Sequence, residues 1–276
     1  MRYLKIWVGG AILSLLLVCG LAAPFIAPYD PQEQRLEHRL RPPSWGIQGS
    51  DPHRLGTDHL GRDILSRIIY GSRISLLVGA TTVVLAGFMG CFLGALAGYF
   101  GDLTDEVISK ISEIFLAFPF LLLAIALMAF LGQGLVNLIL ALMMSRWVQY
   151  CRVVRGEVLS LRERAFVVAA RALGGRDFYI LFRHVVPNTL ASVTVIATFA
   201  MAIVIIAEAS LSFLGLGVPP SIPTWGSMLS EGRSYMYRAP WLTIFPGIAI
   251  FVTVFGINLL GDGLRDILDP KLRGQR

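Results

Sequence analysis

The sequence predicts an all-α integral membrane protein with six transmembrane helices, and three observations carry that prediction. Hydrophobic residues make up 55% of the 276 and charged residues 15%, against roughly 25% charged in a typical soluble domain. Six apolar stretches are long enough to cross a bilayer as helices, which takes about 20 residues each. Most of the arginines behind the net charge of +6 fall between those stretches, which favours a membrane protein over a nucleic-acid binder. Cys19, Cys91 and Cys151 lie in or beside apolar runs without paired spacing, so a disulfide scaffold and a cysteine zinc site are excluded.

The first span covers 6–26 and carries no charge. Arg2 and Lys5 ahead of it and Ala22-Ala23 near its end resemble a secretory leader. The run continues through Pro24 to Ile26, longer than most leader cores, so a retained helix is expected. The second span, 74–100, is uncharged, and Gly90, Gly94 and Gly98 recur in it every four residues. That spacing makes one smooth face for close approach of another helix, with a substrate-lining role as the alternative. The next uncharged stretch is broken by Gly132-Gln133-Gly134. It reads as two helices, 107–131 and 135–151, joined by a tight turn. Pro119 removes one backbone donor and bends the first of them, as a static kink or as a gating hinge. The fifth span, 189–217, holds one acid, Glu208. A carboxylate at mid-bilayer costs roughly 2.5–3.5 kcal/mol on insertion scales, so it must face protein or water. Glu208 either contacts substrate or a gate, together with Ser212, or bonds Ser210, Ser212 or nearby backbone. The sixth span is 241–260.

An even number of spans puts both termini on one side. The loops sharing the termini's side (101–110, 152–187, the N-terminus and the tail after 261) hold 14 Lys and Arg, against 9 in 27–73, 132–134 and 218–240. The richer set is expected in the cytoplasm, and both termini with it. Two parts result: 1–73, the first span with an external loop, and 74–276, a five-helix core containing the loop 152–187.

The chain's lysines are Lys5, Lys110 and Lys271, none in a G-x-x-x-x-G-K-[ST] phosphate cradle. No two histidines stand at i, i+4 and no serine stands in a G-x-S-x-G elbow. The sequence thus points to a chain that is not itself catalytic, with no cofactor or metal of its own. Uphill movement of a cargo would need an ATPase on another chain.

The loop 152–187 is too polar for lipid. Phe166, Ala169, Ala170 and Leu173 follow the i, i+3, i+4, i+7 pattern of one apolar helix face. Gly174-Gly175 stops that helix. Asp177 is expected to cap a second short helix over 178–186, ended by Pro187. Such an elbow docks in a groove of a soluble partner or lies on anionic lipid.

Val168-Ala169-Ala170, with Gly174 and then Pro187, resembles the E-A-A-x-x-x-G-x9-I-x-L-P loop of permease subunits of bacterial ABC importers. Three further stretches are similar to the peptide/nickel branch. They are Leu55-Gly56-Thr57-Asp58 with Gly61-Arg62-Asp63, then Glu208-Ala209 with Leu211-Ser212-Phe213-Leu214-Gly215-Leu216-Gly217 and Trp225-Gly226, and Asn258-Leu259 with Gly261-Asp262, Leu264-Arg265-Asp266 and Asp269-Pro270. The loop departs from the pattern at Val168, His184 and Val186, where glutamate, isoleucine and leucine are usual. Trp147, Tyr150 and Arg152 look like nickel-type members. The resemblance spans nearly the whole chain. It implies the type I ABC importer permease fold and the second permease of a pair in the bacterial inner membrane. It implies half of a path for di- or oligopeptides or a nickel chelate, worked by alternating access; the alternative is a non-transporting scaffold or receptor subunit. The expected partners are a homologous second permease, two cytoplasmic ABC ATPases that hold ATP and Mg, an extracytoplasmic substrate-binding protein and membrane lipid, with no nucleic acid. The residues implied in ATPase coupling are Val168, Ala169, Ala170, Arg171, Gly174, Gly175, Asp177 and Pro187.

Overall fold

The computed structural model describes residues 2–45 and 53–268. Asp269, Pro270 and Lys271 lie outside them. α1 (Arg2–Leu21) stops short of the apolar run 6–26, and α2 (Ala23–Ile26) is a separate turn. Pro24 has no N–H to continue the helix, and its ring crowds the turn before it. A 3-10 turn at Leu36–His38 and an isolated antiparallel bridge between Thr57 and Asp63 organise the loop that follows.

α3 (Ile64–Phe100) starts well before residue 74. Arg67 and Arg73 interrupt the apolar run but not the helix. Asp63 caps it, accepting from the Ser66 N–H and the Ser66 hydroxyl at 2.8 Å each. The expected helix over 107–131 is two helices instead: α4 (Asp102–Leu116) and α5 (Phe120–Leu131), set at 87° to each other. Proline disfavours the α region for the residue before it, and Pro119 itself is extended at φ −56°, ψ 132°. What the sequence reads as a bend is a full break.

α6 (Leu135–Leu161) runs ten residues past 151. α7 (Ala165–Ala172) is followed by α8 (Asp177–Ile180), a π turn at Leu181–Val185 and α9 (Val186–Phe213) without interruption. Pro187 therefore does not end a short helix. It follows the π turn, in the first turn of α9. α10 (Trp225–Arg233) lies inside the segment read as a loop, closed by a capping box between Thr224 and Ser227. α11 (Trp241–Leu268) completes the chain.

By length and composition, four helices qualify as membrane spans, or five with the bent α4–α5 pair. The six expected spans are not reached on that measure. α6 is long enough, but from Arg146 onward it carries Arg146, Gln149, Arg152, Arg155 and Glu157.

The core is built by close helix approach. Gly90, Gly94 and Gly98 of α3 lie on α6, against the backbone of Trp147, Cys151 and Arg155 in turn, with no room for a Cβ. α1 lies on α11 in the same manner, Gly9 against Gly256 and Gly263 against Ile6. An ion pair of Lys5 and Asp266 at 3.3 Å joins these two helices.

Candidate coupling elbow and membrane-core site

Three sites emerge from the residues that the sequence singles out. The first is the elbow α7–α8. Its expected apolar face, Phe166, Ala169, Ala170 and Leu173, is largely open, with Leu173 89% exposed. The residue that anchors α7 is Val167, fully buried with Ile180, Leu181 and Val154. Val168, Ala169 and Arg171 are exposed and Ala170 is half-buried. Gly174 turns the chain at φ +82°, a left-handed conformation that only glycine adopts freely. Gly175 then passes so close to the Ala170 carbonyl that a Cβ would stand 2.9 Å from it.

Asp177 does not cap α8; the cap position is Arg176, with no side-chain bond. The Asp177 carboxylate instead accepts from the Tyr99 hydroxyl of α3 at 2.9 Å. Arg171 donates to the same Tyr99 oxygen at 3.3 Å. The elbow is thereby tied to the end of α3 by one phenol between a base and an acid.

The second site is Glu208, fully buried in α9. One carboxylate oxygen accepts from Ser75 of α3 at 3.0 Å and the other from Ser212 at 2.8 Å. Ser210 turns away and donates to the Ile206 carbonyl of its own helix at 2.8 Å. Gly217 sits on Ser212 and Gly226 sits on Ala209, each too close for a Cβ. Trp225 donates from its indole to the Ile68 carbonyl at 3.0 Å. The stretches 208–217 and 225–226 thus form one junction of α3, α9 and α10, with the acid at its centre.

The third site lies in the loop before α3. Asp58 accepts from Arg62 at 2.6 Å and from Arg67 at 2.5 Å, and both arginines reach Glu231 of α10, at 2.5 and 2.8 Å. Burial pushes the Asp58 carboxyl up, but Arg67, Arg62 and the backbone N–H groups of Arg62 and Leu60 outweigh it and hold it below its ordinary value. Beside it, His53 stands 3.0 Å from Asp63 and 3.0 Å from His38. Asp58, His59 and Glu231 offer atoms within 4.8 Å of one another, as a metal would need. Two guanidiniums already take up both carboxylates, so a cation has no place there. Sequence reading reached the Asp58 and Arg62 motif but not Arg67, Glu231 or Tyr99. None of these three carries a local pattern.

Residues 90–274 match the family described as binding-protein-dependent transport system inner membrane component. Residues 6–43 match the N-terminal transmembrane domain of oligopeptide transport permease C. The chain is 45% identical to the di/tripeptide transport system permease protein DppC of Pseudomonas aeruginosa, over 96% of this chain and 88% of that one. It is 44% identical to the glutathione transport system permease protein GsiD of Pectobacterium atrosepticum, covering 96% and 86%. It is 41% identical to the oligopeptide transport system permease protein OppC of Bacillus subtilis, covering 96% and 85%. In fold it is similar to a chain of the inward-facing MetNI methionine ABC transporter, with a TM-score of 0.60, 18% identity, and coverage of 75% and 98%.

Proposed function

The chain belongs to the binding-protein-dependent transport system inner membrane component family, and on that premise we propose that it is the second permease of a peptide importer in a bacterial inner membrane. Its cargo is a di- or oligopeptide. The observation that carries this reading is that the relatives named for di/tripeptides and oligopeptides align with this chain almost end to end. Nickel has no such support here.

In this reading the chain forms half of the path with a homologous permease. A substrate-binding protein delivers the peptide from outside, and two ATPases close and open on the cytoplasmic face, where both termini lie. ATP and Mg belong to those ATPases, since this chain has no Walker A loop. Nucleotide binding does work on the path only if it favours one permease conformation over another. The elbow is where that bias enters this chain. The exposed faces of Phe166, Ala169 and Leu173 meet the ATPase, and the Tyr99–Asp177 bond passes the displacement to α3, whose glycine face holds α6.

The test is uptake in cells lacking this chain. Labelled di- and tripeptide uptake should be lost and restored by the wild-type chain, with nickel uptake unchanged. Peptide uptake that persists without the chain would return it to the scaffold reading. Loss of nickel uptake alone would reassign the cargo.

A further inference from the structure

α6 changes character halfway along its length. Leu138, Ala141 and Leu142 are buried against Ala124 and Met128 of α5. α5 stops at Phe120, where the chain breaks and α4 turns away at 87°. Beyond that point the same face of α6 continues as Ser145, Gln149, Arg152 and Gly156, at helical spacing. It is polar, and from Gln149 onward it is exposed. An exposed polar stripe of this kind faces water, not lipid.

Arg146 stands at the head of that stripe. It is eleven residues into α6, about 16 Å from the Leu135 end at 1.5 Å per residue. Its guanidinium lies 3.8 Å from the centre of the Phe120 ring. It donates to the Gln149 side chain at 3.2 Å, while its buried Nε has no partner. Among the described residues no carboxylate pairs with it. The first turn of α5 opens at the same level with Pro119 at the cap position and no side-chain cap, so its free N–H groups add positive potential there. A half-buried arginine without a counter-charge, its Nε shut away and unpaired, is a binding group awaiting an anion. Its planar fork suits a carboxylate, and Phe120 and Gln149 hold the fork in place.

We propose that Arg146 receives the anionic end of the cargo, the terminal carboxylate of a peptide, along the path. The inference rests on the peptide reading above and adds to it the group that recognises the cargo inside the membrane. The ring of Phe120 orients the guanidinium, and the polar stripe beyond it is the wet half through which the peptide leaves.

The experiment uses the complete importer, with its own second permease, ATPases and binding protein, in proteoliposomes. Uptake of a tripeptide and of its C-terminal amide is measured with saturating binding protein for wild type, Arg146→Gln and Arg146→Lys. Arg146→Gln should lower uptake of the free-acid peptide by about ten-fold or more, and Arg146→Lys by about three-fold or less, because lysine keeps the charge and loses the fork. The amide should move at the same rate through wild type and Arg146→Gln, with complex yield unchanged. Wild-type uptake of the free acid by Arg146→Gln would overturn the proposal. So would an equal fall for acid and amide, which marks a packing role, or failure of Arg146→Gln to assemble, which marks a pair with an acid of the second permease. If the wild-type importer moves neither peptide, the peptide reading itself fails and takes this inference with it.

Discussion

The hydroxyl of Tyr99, near the end of α3, donates to the carboxylate of Asp177 in the first turn of α8 at 2.9 Å. Among the described residues, no other side-chain hydrogen bond joins α8 to α3. A hydrogen bond to a charged group is worth about 1.5–3 kcal/mol. Tyr99→Phe keeps the ring and its contact with Phe100 but removes that bond. The variant is expected to assemble with its ATPases and to lose several-fold in peptide uptake per ATP hydrolysed. Wild-type coupling in Tyr99→Phe would show that α3 does not sense the elbow.

On the elbow itself, Ala169 is exposed in this chain. Ala169→Asp is therefore expected to leave membrane insertion and the yield of the chain unchanged. A partner covering Ala169 would bury that charge unpaired, at several kcal/mol if the contact is dry. Recovery of the ATPases in a pull-down of the variant is expected to collapse. Normal recovery together with normal uptake would return α7 to a lipid-surface role.

Glu208 accepts from two serines on different helices. Glu208→Gln keeps an acceptor and the shape, so near-normal yield is expected. Glu208→Leu leaves the Ser75 and Ser212 hydroxyls buried without their acceptor, at about 1–3 kcal/mol each. A lower unfolding temperature in detergent is expected for the leucine variant, with a larger fall in transport than in yield. Equal stability of the two variants would remove the acid from the junction's account.

The Asp58 cluster gives a pH dependence of definite sign. Its carboxyl is held below the ordinary value in the folded chain. The stabilisation is therefore present above the unfolded pKa and lost as pH falls through the folded one. Thermal unfolding of the wild-type chain should drop on acidification below the usual carboxylate range. Asp58→Asn leaves Arg67, itself buried, facing Glu231 alone. It should lower stability at neutral pH by about 3–5 kcal/mol and flatten the acid limb. An unchanged acid limb in Asp58→Asn would assign the loss to another group.

Hydropathy and spacing alone determine much of this protein. The apolar runs announce the helices, because a helix in lipid must be apolar along most of its length. Gly90, Gly94 and Gly98 announce a smooth face, because a four-residue step nearly closes a helical turn. Glu208 stands out, because an acid in an apolar run has a cost that must be met. The turn at Gly174 is visible as well, since glycine alone enters the left-handed region freely.

Only the tertiary structure decides what those features touch. Glu208 meets Ser75, 133 residues away in sequence, and Tyr99 meets Asp177 across 78. Periodicity reports neighbours within one helix and is silent about neighbours in another. It also misplaces whatever mixes charge with helix: the first turns of α3 with Arg67, the end of α6 with Arg155 and Glu157, and the whole of α10. Those segments are helical because backbone groups must be satisfied wherever water is scarce, whatever the side chains. The break at Pro119 was legible as a bend but not as 87°. A proline removes one bond locally, and the angle that follows is set by what the two halves find to pack against.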